Sequence, residues 1–145
     1  MMNMNEIEKL IPHREPFLFV DEITEANKDT IIARHMFSEN EFFFKGHFPG
    51  YPVVPGVILV ETMAQSGGAG LRKTGVIGEG GLFFLATIDK VKFRRQVKPG
   101  DEVRSEIQNL RVSSKMIKQS GKAYVGNELA AEAEWMCLIG AGNDN

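Results

Sequence analysis

Residues 45–72, KGHFPGYPVVPGVILVETMAQSGGAGLR, decide the fold of this chain. The first part of the stretch is a loop, because its three prolines cannot lie inside a helix. The second part, from Gly56 to Arg72, is apolar almost all round, which is typical of a buried helix. Between its two terminal cations the stretch carries one imidazole, His47, and one carboxylate, Glu61. A lone carboxylate on a buried helix indicates a role other than solvation.

Length and composition indicate a single domain spanning residues 1–145, long enough for a sizeable core. The formal charge of −2 excludes a generally basic nucleic-acid binder. No apolar run reaches the ~18 residues of a membrane span, and the acidic N-terminus does not resemble an export signal. A single cysteine, Cys137, excludes an intrachain disulfide and fits a reducing compartment. We therefore expect a cytoplasmic protein that binds neither nucleic acid nor membrane.

Hydrophobic patterning predicts one short helix over residues 4–10 and a set of strands around the long helix. The six predicted strands cover residues 17–23, 30–37, 82–94, 102–113, 116–125 and 128–139. The dipeptide Gly126-Asn127 suits a two-residue hairpin turn between the last two. Strands joined by short turns pair antiparallel, and a curved antiparallel sheet can bury an apolar helix. The predicted fold class is α+β, and leftover apolar surface favours a homo-oligomer.

Three residues of the opening stretch form a candidate catalytic set. His47 lies in a stiff, aromatic-rich loop where a neutral imidazole can act as a base, although a loop histidine more commonly caps a backbone carbonyl. Glu61, with Gln65 one turn further on as a hydrogen-bond partner, is expected to be a neutral general acid. Gly56 either offers a free backbone N–H as an oxyanion donor or simply starts the helix. A base, an acid and an oxyanion donor without a nucleophile indicate an elimination next to a carbonyl.

Other chemistries fit the sequence less well. The three histidines, at positions 13, 35 and 47, show no metal-ligand spacing. Cys137 has no partner cysteine and no nearby histidine, so we interpret it as a core residue of a strand. Ser66 lacks the sequence context of a nucleophile elbow.

A basic stripe follows the glycine-rich connection after the helix. Lys90, Lys92 and Arg94 alternate with apolar residues and are followed by Arg95. Alternation with period two places the three cations on one face of a strand. A solvated face is the more common outcome for such a pattern, but on an acidic protein the stripe is also a candidate dock for an anionic partner.

Residues 46–57, GHFPGYPVVPGV, followed by Glu61 and by Ala64-Gln65, resemble the signature of the (3R)-hydroxyacyl-acyl-carrier-protein dehydratases of bacterial type II fatty acid synthesis. Similarity to that family extends over residues 11–21, 92–101 and 121–134, so the resemblance covers nearly the whole chain. The chain departs from the family pattern at Glu15, where an aromatic residue is usual, and at Thr62, where alanine is common.

The resemblance implies a hot-dog fold, in which an antiparallel sheet wraps a long helix. It also implies a homodimer, commonly assembled into a hexamer as a trimer of dimers, with each active site at the dimer interface. One subunit would supply His47 and the other Glu61. The implied partner is acyl carrier protein with a phosphopantetheine-linked acyl chain, an acidic protein that suits Lys92, Arg94 and Arg95. No metal or redox cofactor is implied.

The expected reaction is dehydration of a β-hydroxyacyl thioester to a trans-2-enoyl thioester. His47 would remove the α-proton, the Gly56 N–H would polarise the thioester carbonyl, and Glu61 would protonate the departing hydroxyl. The acyl chain would lie in a tunnel formed by the helix and the region of Phe83 and Phe84. Two alternatives remain at this point: a bifunctional dehydratase/isomerase, whose family carries aspartate at the position of Glu61, and a hot-dog thioesterase or non-catalytic acyl-carrier binding module.

Overall fold

A computed structural model describes residues 4–140, which form two helices and six strands. The helices are α1 (Met4–Glu8) and α2 (Gly56–Thr74). The strands are β1 (Glu22–Ala26), β2 (Thr30–Met36), β3 (Leu82–Phe93), β4 (Glu102–Val112), β5 (Met116–Val125) and β6 (Glu128–Gly140). Within this part of the chain, no helix is long and apolar enough to cross a membrane.

The strands form one antiparallel sheet in the order β1-β2-β4-β5-β6-β3. The sheet packs against α2, which is buried from Ile58 to Arg72 except at Glu61, where burial is partial. An α+β architecture with a central helix and a six-stranded antiparallel sheet is therefore confirmed.

Two glycines let the sheet approach α2 closely. A Cβ at Gly67 would collide with the side chain of Gln119, and one at Gly70 would lie 2.5 Å from Cγ2 of Ile31. Glycine weakens a helix by roughly 1 kcal/mol relative to alanine, so its presence here follows from packing. Gly75 then ends the helix with a left-handed φ of 79°.

Most predicted elements are confirmed within two residues of their bounds, but the first strand is wrong. Residues 17–23 were expected to form it, whereas β1 covers Glu22–Ala26. The backbone around Phe19 is held by a side chain instead of a neighbouring strand. The N–H of Phe19 donates to Oε1 of Gln65 at 2.8 Å, and Nε2 of Gln65 donates to the carbonyl of Phe17 at 3.1 Å. An apolar run can thus be buried without being a strand.

The two edges of the sheet differ in length and polarity. The β1 edge is five residues long, and two of these are glutamates. The β3 edge is twelve residues long, and its large apolar side chains are 36–53% exposed: Phe84, Leu85, Ile88, Val91 and Phe93. Val57, predicted to be buried on the helix, is instead 72% exposed. A long apolar edge with free backbone groups is suited to pairing with another strand.

Candidate active site

His47 is held by a compact loop between Phe43 and α2. Its backbone N–H donates to the carbonyl of Phe43 at 3.1 Å, and its own carbonyl accepts the N–H of Val53 at 2.9 Å. The imidazole stacks on the ring of Phe48 at a centroid distance of 4.1 Å. It is half-buried, so the loop fixes the ring without closing it off from a ligand.

The hydrogen bond of the imidazole determines its tautomer. Nδ1 of His47 lies 3.1 Å from the carbonyl oxygen of Val53. A carbonyl only accepts, so Nδ1 must carry the proton and Nε2 must present a lone pair in the neutral ring. The commoner role of a loop histidine, capping a carbonyl, is therefore present. That same bond leaves Nε2 as an available base.

Glu61 is held by Gln65, as the spacing of one helical turn predicts. The amide of Gln65 has a fixed orientation, because its Oε1 accepts the N–H of Phe19. Its Nε2 is therefore a donor, and it lies 3.0 Å from Oε2 of Glu61. One carboxyl oxygen of Glu61 is thus occupied by a fully buried amide, while Oε1 makes no hydrogen bond within residues 4–140.

Glu61 lines a cavity of about 320 Å³ whose walls are largely apolar. The lining residues are His13, Phe17, Glu61, Ala64, Gln65, Phe83, Phe84, Leu85 and Cys137. The helix and the region of Phe83 and Phe84, where we expect the acyl chain to lie, therefore meet at a cavity that Glu61 lines. A carboxyl group that lines such a cavity can transfer a proton to a ligand bound there.

His13 is a member of this cavity that sequence reasoning left without a role. Its Nε2 lies 3.5 Å from Oε2 of Glu61, and its Nδ1 is buried without a hydrogen-bond partner among the described residues. The signal was its place in residues 11–21, one of the segments that carry the family resemblance. Spacing alone does not bring it to Glu61, because the two lie on separate elements.

Cys137, predicted to be a core residue, is buried on β6 at the wall of the same cavity. Burial, and to a smaller extent the charge of Glu61, raises the pKa of its thiol to about 12. A thiol with such a pKa is a poor nucleophile, which agrees with its exclusion as a catalytic group.

Gly56 begins α2 after Pro55, and no side chain caps this end of the helix. A Cβ at Gly56 would lie 2.8 Å from the ring of Phe93, so packing against β3 is one reason for the missing side chain. Gly56 also lines a second cavity, of about 490 Å³, together with Val53, Arg94 and Arg95. Val53, whose carbonyl is hydrogen-bonded to His47, thus lines this Gly56 cavity.

The single chain does not bring the proposed base and acid into one cavity. His47 is absent from the lining of the Glu61 cavity, and Glu61 is absent from the lining of the Gly56 cavity. The start of β3 borders the Glu61 cavity through Phe83, and its end borders the Gly56 cavity through Phe93. The two cavities therefore border opposite ends of one exposed strand, and His47 lines neither of them.

The basic stripe is partly neutralised by β6. Lys90 lies 3.2 Å from Glu134, and Arg94 lies 2.8 Å from Glu132. A bulge between Asp89 and Lys92 interrupts the even alternation that the sequence predicts. Lys92 itself is exposed and forms no ion pair with any residue in the range 4–140.

Arg95 is also engaged with acidic groups. Its guanidinium lies 3.3 Å from Glu128 and 3.6 Å from Asp101. Of the three predicted docking residues, Lys92 is thus the one that forms no ion pair within residues 4–140, although Glu132 is its cross-strand neighbour.

A separate titratable cluster surrounds His35, a residue to which the sequence assigned no function. Its Nδ1 lies 2.8 Å from Oδ1 of Asp21, and its Nε2 lies 2.9 Å from Oε2 of Glu41. Burial disfavours the charged ring, but the hydrogen bonds and negative charges of Asp21 and Glu41 outweigh burial and raise the pKa of His35 to about 9. Burial tends to raise the pKa of Asp21, but the hydrogen bond with His35 helps to keep that pKa below its ordinary value.

Residues 11–134 match the FabA-like domain family, which covers most of the chain. The chain belongs to the FabA-like family. It is 45% identical over 141 residues to a 3-hydroxyacyl-[acyl-carrier-protein] dehydratase FabZ of Desulforamulus reducens, covering 97% of this chain and 99% of the relative. It is 46% identical to the FabZ of Pelotomaculum thermopropionicum, covering 96% and 99%. Its similarity to these relatives shows that the chain is an enzyme of the hydro-lyase class.

Two solved structures with the same fold share little sequence with the chain. A dehydratase heterocomplex from Xenorhabdus doucetiae superposes with a TM-score of 0.80 at 14% identity, covering 94% of this chain and 91% of that one. A putative thioesterase from Ralstonia eutropha superposes with a TM-score of 0.61 at 14% identity, covering 81% and 83%. At this identity the likeness extends to the fold alone, and the hot-dog architecture is confirmed.

Proposed function

We propose that this enzyme dehydrates (3R)-hydroxyacyl chains carried by acyl carrier protein, at sites shared between two copies of the chain. The base takes a proton from the α-carbon, and the electron pair of that C–H bond forms the double bond to the β-carbon. The C–O bond at the β-carbon breaks, and the hydroxyl leaves as water after receiving a proton from the acid. The product is a trans-2-enoyl thioester, and no redox partner is required.

The observation that carries this proposal is the bond from Nδ1 of His47 to the carbonyl of Val53. It fixes the neutral tautomer in which Nε2 accepts a proton, which is the requirement for the base. Stacking on Phe48 and the flanking backbone bonds supply the orientation.

Glu61 is the proposed acid because its surroundings favour one reactive oxygen. Gln65 donates to Oε2 and cannot accept from it, so the transferable proton is best carried on Oε1. The apolar walls of the Glu61 cavity, contributed by Phe83 and Phe84, would lie along the acyl chain. Glutamate here also separates the chain from the related dehydratase/isomerase pattern, which has aspartate.

Pairing of β3 with β3 of a second copy would complete both sites. A two-fold axis makes such a pair antiparallel, so the start of one strand lies beside the end of the other. The Glu61 cavity, next to Phe83, would then face the Gly56 cavity of the partner, which is lined by Val53, the residue that holds His47. The exposed apolar side chains of β3 supply the surface for this interface. Three such dimers would form the hexamer that the family resemblance implies.

The uncapped start of α2 is the proposed site for the thioester carbonyl. The Gly56 N–H is one of the first amides of the helix, which have no intrahelical acceptor and point along the positive end of its dipole. Arg94 and Arg95, with Lys92 nearby, would face the acidic carrier protein at the mouth of the Gly56 cavity.

The reaction is tested by incubating the enzyme with a crotonyl thioester. Loss of the conjugated enoyl absorbance indicates hydration, the reverse of the proposed reaction. Release of free thiol would instead identify a thioesterase, and the absence of both would identify a binding module.

The shared site is tested with a purified heterodimer of His47→Ala and Glu61→Gln subunits. In a shared arrangement one of its two sites has both native groups and the other has neither, so about half of the wild-type rate returns. If base and acid came from the same chain, every site would lack one group and the heterodimer would stay inactive. The mass of the wild-type assembly, measured by light scattering, distinguishes a dimer from a hexamer.

A further inference from the structure

The cluster of Asp21, His35 and Glu41 joins three segments that lie apart in the sequence. His35 is on β2, Asp21 precedes β1, and Glu41 belongs to the turn that leads toward His47. The imidazole is 5% exposed, and it packs edge-on against Phe19 and Phe37 at centroid distances of 5.7 and 4.6 Å. A side chain held in this way has little freedom to adopt another position.

The contacts of the ring indicate its charge when both carboxylates are ionised. Both ring nitrogens of His35 lie within 2.9 Å of carboxylate oxygens. Ionised carboxylates only accept hydrogen bonds, so both nitrogens must donate, and only the imidazolium has two N–H groups. The raised pKa of His35 agrees with this assignment.

The Glu41 side of the cluster leads to the proposed base. The N–H of Phe44 donates to the carbonyl of Glu41 at 3.2 Å, and the N–H of His47 donates to the carbonyl of Phe43 at 3.1 Å. Phe43 also packs against Phe37, at a centroid distance of 6.1 Å. The turn that carries His47 is therefore tied to His35 through Glu41.

The Asp21 side leads to the proposed acid. Asp21 ends the irregular segment in which Phe19 donates its N–H to Gln65, and Gln65 holds Oε2 of Glu61. The ring of Phe19 lies against His35. The imidazolium of His35 thus links the segment that orients Glu61 to the turn that orients His47.

We propose that His35 is a positioning residue, whose imidazolium holds the His47 turn in place through Glu41 and makes turnover depend on its own protonation. The inference rests on the proposed function, because the groups that His35 positions are the proposed base and acid. His35 touches no substrate in this scheme and acts only through its two carboxylate partners.

Loss of the proton would affect the two partners unequally. A neutral imidazole has one N–H, so one of its nitrogens would face a carboxylate with a lone pair. Asp21 keeps another donor, because Oδ2 accepts the N–H of Met36 at 2.8 Å. The carboxylate of Glu41 makes no other hydrogen bond within residues 4–140. The ring is therefore the sole hydrogen-bond partner of the Glu41 carboxylate among the described residues, and its deprotonation leaves one N–H for two carboxylates, which weakens the hold of the cluster on the His47 turn.

The other charged groups around the ring do not replace this contact. Arg34, next to His35 on β2, is engaged by Glu22 at 2.8 Å and by Glu102 at 3.3 Å. The residue opposite His35 on β4 is the apolar Val103. A cavity of about 330 Å³ beside the cluster adds one further carboxylate, Glu15, and gives protons a route to the ring.

The test compares the pH dependence of turnover in the wild type and in His35→Lys, which keeps a cation at the cluster to higher pH. The ratio of the two kcat values cancels any pH dependence of His47 and Glu61 that both proteins share. We expect the kcat of His35→Lys divided by the kcat of the wild type to rise about threefold to tenfold between about pH 7 and pH 10, with KM nearly unchanged. Glu41→Gln, whose amide can pair with a neutral ring, should flatten the alkaline decline in the same way. Assays run well below each melting temperature, with no-enzyme blanks for thioester hydrolysis.

A flat ratio in stably folded His35→Lys would overturn the positioning role, because a merely structural residue changes the melting temperature without changing the pH profile of kcat. Two-bond nitrogen–proton spectra of the imidazoles supply a readout that does not depend on activity. A His35 ring that is neutral at about pH 7 would also overturn it. Failure of the proposed function is distinct, since it would appear as a wild type that neither hydrates nor dehydrates any acyl thioester.

Discussion

His35 and His47 lie in the same part of the chain but are held in opposite ways. Both nitrogens of His35 are bound by carboxylates, and the ring is almost fully buried. One nitrogen of His47 is bound by a backbone carbonyl, while the other has no hydrogen-bond partner among residues 4–140 and lies on a half-buried ring. A ring whose two nitrogens both donate to carboxylates is a fixed cation. A ring with one nitrogen hydrogen-bonded to a carbonyl is an oriented base. The number and type of partners, more than burial, separates a structural histidine from a reactive one.

The largest expected effect is on stability, from His35→Leu. This substitution leaves Asp21 and Glu41 as partly buried carboxylates without their shared cation, which should lower the free energy of unfolding by about 3 kcal/mol or more. Urea denaturation at neutral pH measures it. The matched variant His47→Leu removes a half-buried ring with one hydrogen bond, so we expect a loss of about 1 kcal/mol. Equal losses at the two positions would contradict the comparison.

The second effect is on activity, from His47→Asn. The amide of asparagine can still donate to the carbonyl of Val53, so the loop is retained while the basic nitrogen is lost. We expect kcat to fall about 100-fold or more, equivalent to about 3 kcal/mol of transition-state stabilisation. Near-wild-type turnover in this folded variant would remove His47 from the mechanism. Loss of activity in His47→Ala but not in His47→Asn would reduce it to a loop-forming residue.

The third effect is the pH dependence of stability. The pKa of His35 is raised from its unfolded value of 6.5 to about 9, so its contribution is complete below about pH 6.5 and is lost as the pH rises through about 9. We expect the free energy of unfolding to fall by on the order of 2–3 kcal/mol over that interval. Asp21, whose pKa is lowered, contributes in the opposite direction and loses its contribution below about pH 4. In His35→Lys, the free energy of unfolding obtained from denaturation curves should fall less as the pH rises above about 6.5.

The smallest effect concerns two cations on the surface. Arg94 forms an ion pair with Glu132, whereas Lys92 forms no ion pair within residues 4–140. Lys92→Glu should lower kcat/KM severalfold for a substrate on acyl carrier protein and leave a pantetheine-linked substrate unaffected. The loss should be larger at low salt than at high salt. Lys118→Glu on β5 is a control for total charge. A loss that does not change with salt would assign Lys92 to a solvated face.

Sequence patterns predicted those parts of the fold whose causes are local. The apolar run after Gly56 and the Gly126-Asn127 turn define α2 and the β5–β6 hairpin without reference to the rest of the chain. The first strand was misplaced because Gln65, far along the chain, replaces the strand partner of residues 17–19. Val57 was predicted to be buried because hydropathy records apolar character and not which surface covers it.

For the candidate site, the sequence predicted the local contacts, while the catalytic roles of His47 and Glu61 stay predictions. His47, Glu61 and Gln65 belong to one short motif, in which the loop orients His47 and one turn of α2 places Gln65 beside Glu61. His13 reaches Glu61, and His35 reaches Asp21 and Glu41, only through tertiary packing. Their roles depend on distances that no spacing in the sequence records.

The thiol of Cys137 acquires a new meaning if the product is an enoyl thioester. Such a product is a conjugate acceptor, formed at each turnover beside a cysteine that lines the Glu61 cavity. Thiolates add to such acceptors, but with a pKa of about 12 only ~1 in 100,000 of these thiols is ionised at neutral pH. Mass spectrometry after prolonged turnover should find Cys137 unmodified. The burial that packs β6 against the cavity would then also protect the enzyme from alkylation by its own product.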